Sequence, residues 1–389
     1  MEGMPSVVIG RRGEDRARAG HPWIYRSDVE EVRASAGDLV QVVGSRGRPL
    51  GHALFSDKSE ITLRMVAHGA DAPSPGFMRD RVAAAIRYRE SLGLDATAYR
   101  LVHGEADRLP SLIVDRYGDY LVVQALSQGI DRRLPEITSA LVELVQPAGI
   151  LARNDPRVRL LEGLEQRVEI LHGEVPERIE VREGAVTYQV DLWRGQKTGL
   201  FLDQRENREA AQRYARGRLL DAFSYNGGFA LALAPRCSSV LAVDISEDAV
   251  ARIRENAARN GLTNVEARAM NVFDELRELE RRGARFDIIV LDPPAFAKNK
   301  AAVGKALSGY KEINLRALKL LEPGGFLVTC SCSYNVSEGM FLEVVAEAAA
   351  DAGVEVTVVE KRAQGRDHPV LLNVPETYYL KALILRKLA

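Results

Sequence analysis

The pattern of apolar and polar positions changes twice along the chain. Up to residue 66, short apolar runs alternate with turn residues: Val7-Val8-Ile9 before Gly10, Asp38 to Val43 before Gly44, then His52 to Phe55 and Glu60 to Val66. Such runs predict strands, and together they predict a small β-rich module. The cluster Gly69-Ala70-Asp71-Ala72-Pro73-Ser74-Pro75-Gly76 reads as a linker, with a boundary near residue 72. Met78, Val82, Ala85 and Ile86 then recur at helical spacing and predict a helix from Met78 to Leu92. Strand patterns at Ser111 to Arg116 and Tyr120 to Ala125 are joined through Gly118-Asp119 as a hairpin would be. A helix from Leu134 to Val145 and two strand patterns between Ile179 and Val190 complete a central α/β part, residues 73–190.

From Arg218 onward strand and helix alternate strictly. Arg218 to Ala222, Val240 to Val243, Val265 to Ala269, Phe286 to Leu291 and Gly325 to Cys330 read as buried strands, with helical runs such as Ser246 to Asn260 and Ser308 to Leu321 between them. This alternation predicts a doubly wound, Rossmann-like α/β sheet in residues 191–389, its ligand crevice at the carboxyl ends of the strands.

Composition narrows the class. With 46% hydrophobic and 28% charged residues the chain is ordinary for a globular protein, and its 389 residues allow two or three domains. Neither a signal peptide pattern nor an apolar run long enough to span a membrane stands in the sequence, so a soluble cytoplasmic protein is expected. The three cysteines, Cys237, Cys330 and Cys332, are too few for a disulfide framework or an all-cysteine zinc site, and no metal is expected. A net charge of −1 argues against a generic polyanion binder, so any nucleic-acid surface must be local.

Candidate chemistry collects at the strand ends. The first strand of the alternating region runs into Asp221-Ala222-Phe223-Ser224-Tyr225-Asn226-Gly227-Gly228-Phe229, a small-residue turn that lets backbone amides approach a ligand. The second ends in Asp244-Ile245, where a carboxylate can accept from both ribose hydroxyls of an adenosine; read singly, Gly227-Gly228 is a helix entry and Asp244 belongs to a helix N-terminus. The absence of Gly-x-Gly-x-x-Gly disfavours a pyrophosphate-bearing dinucleotide, which leaves S-adenosyl-L-methionine (SAM), with S-adenosyl-L-homocysteine as product. Asn271, after the third strand, is a candidate for adenine contact, and Asp292-Pro293-Pro294-Ala295-Phe296 forms a rigid loop suited to holding a planar heterocycle beside the methyl donor.

Cys330 and Cys332 follow on the same rim. Carbon 5 of a pyrimidine is a poor nucleophile until a group adds to carbon 6, and a thiolate can make that addition. Cys330 continues a buried strand, whereas Cys332 lies at its open end, so Cys332 is the candidate nucleophile and Asp292 the candidate hydrogen-bond partner of ring N3.

These motifs, with Gly195-Gln196-Lys197-Thr198-Gly199-Leu200-Phe201-Leu202-Asp203-Gln204-Arg205 and Thr329-Cys330-Ser331-Cys332-Ser333, stand in an order that resembles the RlmI-type bacterial 23S rRNA cytosine-C5 methyltransferases over almost the whole chain. The resemblance implies a PUA domain in residues 1–72, a small central domain and a class I methyltransferase domain. It implies that Gln196, Lys197, Thr198 and Arg205 lie over the cofactor, beside Asp221, Phe223, Ser224, Asn226, Asp244, Ile245, Asn271 and Asp292. It supports Cys332 as the attacking cysteine, selects cytosine over uracil, and makes 23S rRNA the partner; proteins of this kind are often homodimers. Two departures stand out: many relatives carry a second cysteine just after Asp-x-Pro, where this chain has Ala295, and relatives often have Asp at the position of Asn271.

Arg11, Arg12, Arg16, Arg18, His21, Trp23, Tyr25 and Arg26 interleave basic and aromatic residues in the module that resembles PUA, as a surface for phosphates and unpaired bases would; a solvated charged turn around a core tryptophan gives the same pattern. Two other functions stay open at this stage. One is an amino-group methyltransferase acting on a base or protein; the other is a non-catalytic RNA-binding factor that keeps SAM as a structural ligand.

Overall fold

The computed structural model describes residues 4–297 and 299–388. The chain forms two compact units. The first takes the chain up to Val181 together with Val190–Gly199 and Asp367–Thr377; the second takes Arg182–Gln189, Leu200–Arg366 and the chain from Tyr378 on.

The first unit holds two sheets. Strands Ser6–Ile9, Trp23–Tyr25, Val29–Arg33, Leu39–Gly44, Pro49–Phe55 and Ile61–His68 form a six-stranded sheet whose inward positions, among them Val7, Ile9, Val40, Val42 and Leu63, are fully buried. The four strands expected here are present. The helix Arg11–Arg18 was not expected: its sequence RRGEDRAR buries just Gly13 and Ala17, too weak an apolar stripe to read as a period. A Cβ at Gly13 would stand 3.1 Å from that of Asp28, a tight approach that favours glycine there.

The second sheet has five strands, Ala98–His103, Leu112–Tyr117, Tyr120–Ala125, Gly149–Asn154 and Arg167–Gly173, with helices Phe77–Ser91 and Leu134–Val145. The expected hairpin is present, Tyr117 facing Tyr120 across Gly118-Asp119.

The second unit is built on seven strands: β1 (Arg218–Ala222), β2 (Ser239–Asp244), β3 (Val265–Ala269), β4 (Phe286–Leu291), β5 (Leu321–Ser331), β6 (Val356–Arg362) and β7 (Lys381–Lys387). Their order is β3-β2-β1-β4-β5-β7-β6. The pairings from β3 through to β5 are parallel, whereas β7 runs antiparallel to both β5 and β6. Right-handed crossovers force helices onto both faces of a parallel sheet, so its central strands must be apolar on both sides. Leu219, Leu220, Ile288, Ile289 and Val290 accordingly have 1% exposure or less. The strand order reverses between β1 and β4, and there the carboxyl ends diverge into the crevice that doubly wound sheets use for ligands. β6 and β7 were not anticipated. β7 delivers Lys381 directly opposite Ser331 at the end of β5.

Among the described residues no helix is long and apolar enough to cross a membrane, and no group of three or more His, Cys, Asp and Glu side chains is placed to hold a metal ion.

Candidate active site

The turn after β1 is held in an unusual backbone conformation by its own hydrogen bonds. Phe223 (φ 65°), Tyr225 (φ 52°) and Gly227 (φ 87°) all adopt left-handed geometry, which only the glycine tolerates without strain. The Ser224 amide donates to the Val243 carbonyl at 3.0 Å and the Gly227 amide to the Ser224 carbonyl at 2.9 Å. Asp221 is the internal brace: its Oδ2 accepts from the Ser224 hydroxyl at 2.6 Å and from the Ala230 amide at 2.8 Å. These bonds fold the chain back so that a helix, Gly228–Leu233, starts directly beneath the crevice.

Three carboxylates meet at this rim. Asp221 is fully buried, and its Oδ1 has no hydrogen-bond partner. Burial pushes its carboxyl up to about 7, and the negative charges of Asp292 and Asp244 push in the same direction. Asp244 has its two oxygens set by backbone amides, Tyr225 N to Oδ2 at 2.8 Å and Ser246 N to Oδ1 at 2.9 Å. Each oxygen keeps a lone pair for a ribose hydroxyl. Asp292, after β4, accepts from Gln204 Nε2 at 2.8 Å.

The clustering decides what ligand fits. A buried carboxylate with an unpartnered oxygen, beside two more carboxylates, calls for a cation and repels a pyrophosphate. SAM carries a sulfonium and an ammonium, so the residues present fit it. Asp244 would hold the ribose and Ile245, 71% exposed beside it, would cover the adenine. Asn271 caps the helix Val272–Arg281 through Oδ1, 2.9 Å from the Phe273 amide, which leaves its NH2 outside that bond. Ser224 and Asn226 are buried in the turn, and Phe223 is half-buried.

The pH behaviour of Asp221 follows. A carboxyl held above its unfolded value of about 4 binds its proton more tightly in the folded state. Its contribution therefore favours folding at low pH and is lost as pH rises through that value towards the folded one of about 7. Thermal melts of ligand-free wild type and Asp221→Asn between pH 5 and about 8 are expected to show the wild type losing stability relative to the variant as pH rises. A constant difference would contradict this assignment.

Four further expected cofactor residues are divided between the two units. Gln196, Lys197 and Thr198 belong to the first unit, whereas Arg205 belongs to the second. Thr198 is buried, its hydroxyl donating to Asp115 Oδ2 at 2.6 Å and bonded to the Tyr117 hydroxyl at 2.8 Å, so it is engaged in the core of that unit. Gln196 and Lys197 are exposed. Arg205 is buried, with Glu206 at 3.8 Å.

The basic and aromatic cluster of the first module is largely tied to the protein itself. Arg12 and Arg16 both pair with buried Asp28, and Arg16 lies over the Tyr25 ring at 4.6 Å. Trp23 donates from Nε1 to Glu105 at 3.0 Å, and His21 Nδ1 accepts from the Trp23 amide at 3.1 Å. Arg18 pairs with Glu14 at 2.8 Å, and Arg26 reaches the carbonyls of Asp57 and Ser59 at 3.3 and 3.2 Å. Arg11, Arg12, Arg18 and Arg26 are exposed.

The cysteines separate clearly. Cys330 is completely buried, and its thiol is pushed well above the ordinary range by burial and by Asp292. Cys332 is partly exposed, and its thiol donates to the Pro293 carbonyl at 3.7 Å, which sets it against the Asp292-Pro293-Pro294 loop. Two groups that sequence reasoning missed shape this corner. The Tyr310 hydroxyl sits between the hydroxyls of Ser331 and Ser333, each at 2.9 Å. Lys381 lies buried behind the loop, donating to the Ser333 carbonyl at 2.7 Å and the Tyr379 carbonyl at 2.9 Å. Nothing near Cys332 in the sequence signalled either one, because both arrive from distant elements.

A strand order reversing at β1/β4, a strand-end carboxylate for ribose and a cation-seeking rim define a SAM-dependent enzyme. The family model for S-adenosylmethionine-dependent methyltransferases matches residues 102–386, and a PUA-like domain model matches residues 7–68. The chain belongs to that methyltransferase family, and within it stands with relatives named "Ribosomal RNA large subunit methyltransferase I". The relative from Tolumonas auensis is 42% identical over 98% of this chain and 99% of its own length, and that from Vibrio cholerae is 36% identical over 99% and 100%. Among solved structures, a methyltransferase in complex with S-adenosylhomocysteine shares the fold at TM-score 0.86, with 22% identity over 98% of this chain and all of the other.

Proposed function

We propose that this chain methylates carbon 5 of a cytosine in 23S ribosomal RNA through a covalent bond between Cys332 and carbon 6 of the ring. The observation that carries the reading is the pair of cysteines: Cys332 is open to the crevice beside the Asp292 loop, and Cys330 is sealed in the core. The names of the full-length relatives support the ribosomal RNA target and, with it, action in the cytoplasm.

Bound SAM supplies an electrophilic methyl group. The Cys332 thiolate adds to carbon 6, and Asp292, oriented by Gln204 and in its carboxylic acid form, passes its proton to ring N3 as negative charge develops there and takes it back when the sulfur leaves. Carbon 5, now enamine-like, takes the methyl. A base then removes the carbon-5 proton, the ring double bond re-forms and the Cys332 sulfur leaves. Gln196, Lys197 and Arg205 are assigned to the cofactor side on the resemblance alone.

In this reading the chain works as three parts, divided near residues 72 and 190, and the PUA-like part grips RNA. Arg11, Arg18 and Arg26 are its phosphate contacts, because exposed pairs such as Arg18 with Glu14 hold weakly enough to exchange for a phosphate. A paired target base must flip out to reach Cys332.

The test uses rRNA tritiated at cytosine C5 together with SAM. Tritium release in step with methyl incorporation is expected. Methyl incorporation without tritium release would mean transfer to an amino group instead, and absence of any transfer would mean a binding factor.

A further inference from the structure

Lys381 is 2% exposed, yet among the described residues no carboxylate pairs with it. A buried ammonium on two carbonyl oxygens is stabilised in part; it still lacks an anion, and a buried charge without a countercharge is costly. The antiparallel register of β5 and β7 sets the Lys381 backbone opposite Ser331, and its Nζ is fixed 2.7 Å from the carbonyl of Ser333, so Lys381 engages the residues on either side of Cys332.

We propose that Lys381 is a positioning residue for the reaction, its buried ammonium being the countercharge that holds Cys332 as the thiolate. This rests on the reading of Cys332 as the attacking group.

Burial lowers Lys381 to about 8, and the Cys332 charge is what opposes that fall. The interaction is mutual: whatever the thiolate does to keep the ammonium protonated, the ammonium does to keep the thiol ionised. Two further described groups are coupled to Cys332 with the opposite sign. Tyr310, on the helix Val303–Leu320, and Cys330, on the same strand, are both negative when ionised, and Asp292 acts on Cys330. A negative charge on either opposes a thiolate beside it, and a nearby cation offsets that opposition.

The experiment titrates Cys332 in the full chain by its rate of alkylation with iodoacetamide from about pH 5 to about 10, read on the peptide that carries it. Cys237 and Cys330 are buried, which separates their signals from that of Cys332. In the wild type the midpoint is expected at least about one pH unit below the 8.5 or so of a free thiol. Lys381→Met is expected to raise it by about one unit or more, and Lys381→Arg to restore it towards the wild type. A wild-type midpoint at or above that of a free thiol overturns the proposal without any variant, as does an unchanged midpoint in folded Lys381→Met. The titration needs no RNA, so it stands or falls independently of whether methyl transfer to cytosine is observed.

Discussion

Replacing Cys332 with Ala is expected to lower methyl transfer to RNA by about 10⁴-fold or more, while Cys330→Ala stays within about threefold of the wild type. The first figure follows from the chemistry. Without addition at carbon 6, carbon 5 of the ring has no enamine character, and no other group in the crevice can substitute for a polarisable, ionised sulfur. A loss of this size is about 5.5 kcal/mol of transition-state stabilisation. On the proposed reading it comes from the chemical step, because Asp221 and Asp244, the carboxylates proposed to face the cofactor, are untouched; affinity for SAM measured by calorimetry should therefore match the wild type. Cys330 is different. Fully buried between β4 and β7, it acts as a small apolar residue, and its truncation costs about 1 kcal/mol of stability for the cavity left behind. Undiminished turnover in Cys332→Ala, or a collapse in Cys330→Ala at temperatures where that variant is folded, would remove Cys332 from its assigned role.

What could be read from the sequence depended on how many faces of an element are buried. β1, β2 and β4 are covered on both sides, so their apolar runs are nearly continuous, and Asp244 and Asp292, at or just after the ends of β2 and β4, could be singled out by position. β6 lies at the sheet edge, with exposed Val358 and Val359 among charged residues, and gave no clear period. β7 is apolar only in its middle, Ala382 to Leu385, and the lysines at its two ends shorten the run. That short run hid Lys381, whose Nζ bonds the Ser333 carbonyl next to Cys332. The surroundings of Thr198 were hidden for another reason: its bonds to Asp115 and Tyr117 span 83 and 81 residues of chain, and the chain passes from one compact unit to the other at Gly199–Leu200. The arginines of the first module were found by type, but not their partners, since Asp28 and Glu105 are brought to them by folding.

The scaffold beneath the cofactor turn gives the second large effect. Arg208, on the helix Arg205–Ala211, binds Glu183 through two parallel bonds, Nε to Oε1 at 2.7 Å and Nη2 to Oε2 at 2.6 Å, and reaches the Phe201 carbonyl at 3.2 Å. Both side chains are about nine-tenths buried, and burial, which disfavours the guanidinium, is outweighed by Glu183. The pair lies against the start of the next helix, where a Cβ on Gly228 would stand 3.2 Å from Arg208 Nη1 and the Tyr188 hydroxyl donates to the Gly228 carbonyl. Arg208→Met leaves Glu183 as a buried, uncompensated anion and is expected to destabilise this unit by about 3–5 kcal/mol. Arg208→Met combined with Glu183→Leu replaces both charges with apolar groups of similar size and should recover most of that loss. Because Gly228, packed against Arg208, starts the helix that follows the turn carrying Ser224 and Asn226, affinity for SAM should fall in the single variant and return in the double one. Urea melts followed by circular dichroism, with hydrogen exchange localised to the helix Arg205–Ala211 and the turn from Phe223 to Gly228, check both parts. A single variant as stable as the wild type would show that water reaches Glu183 and that the ion pair is not what locks the turn.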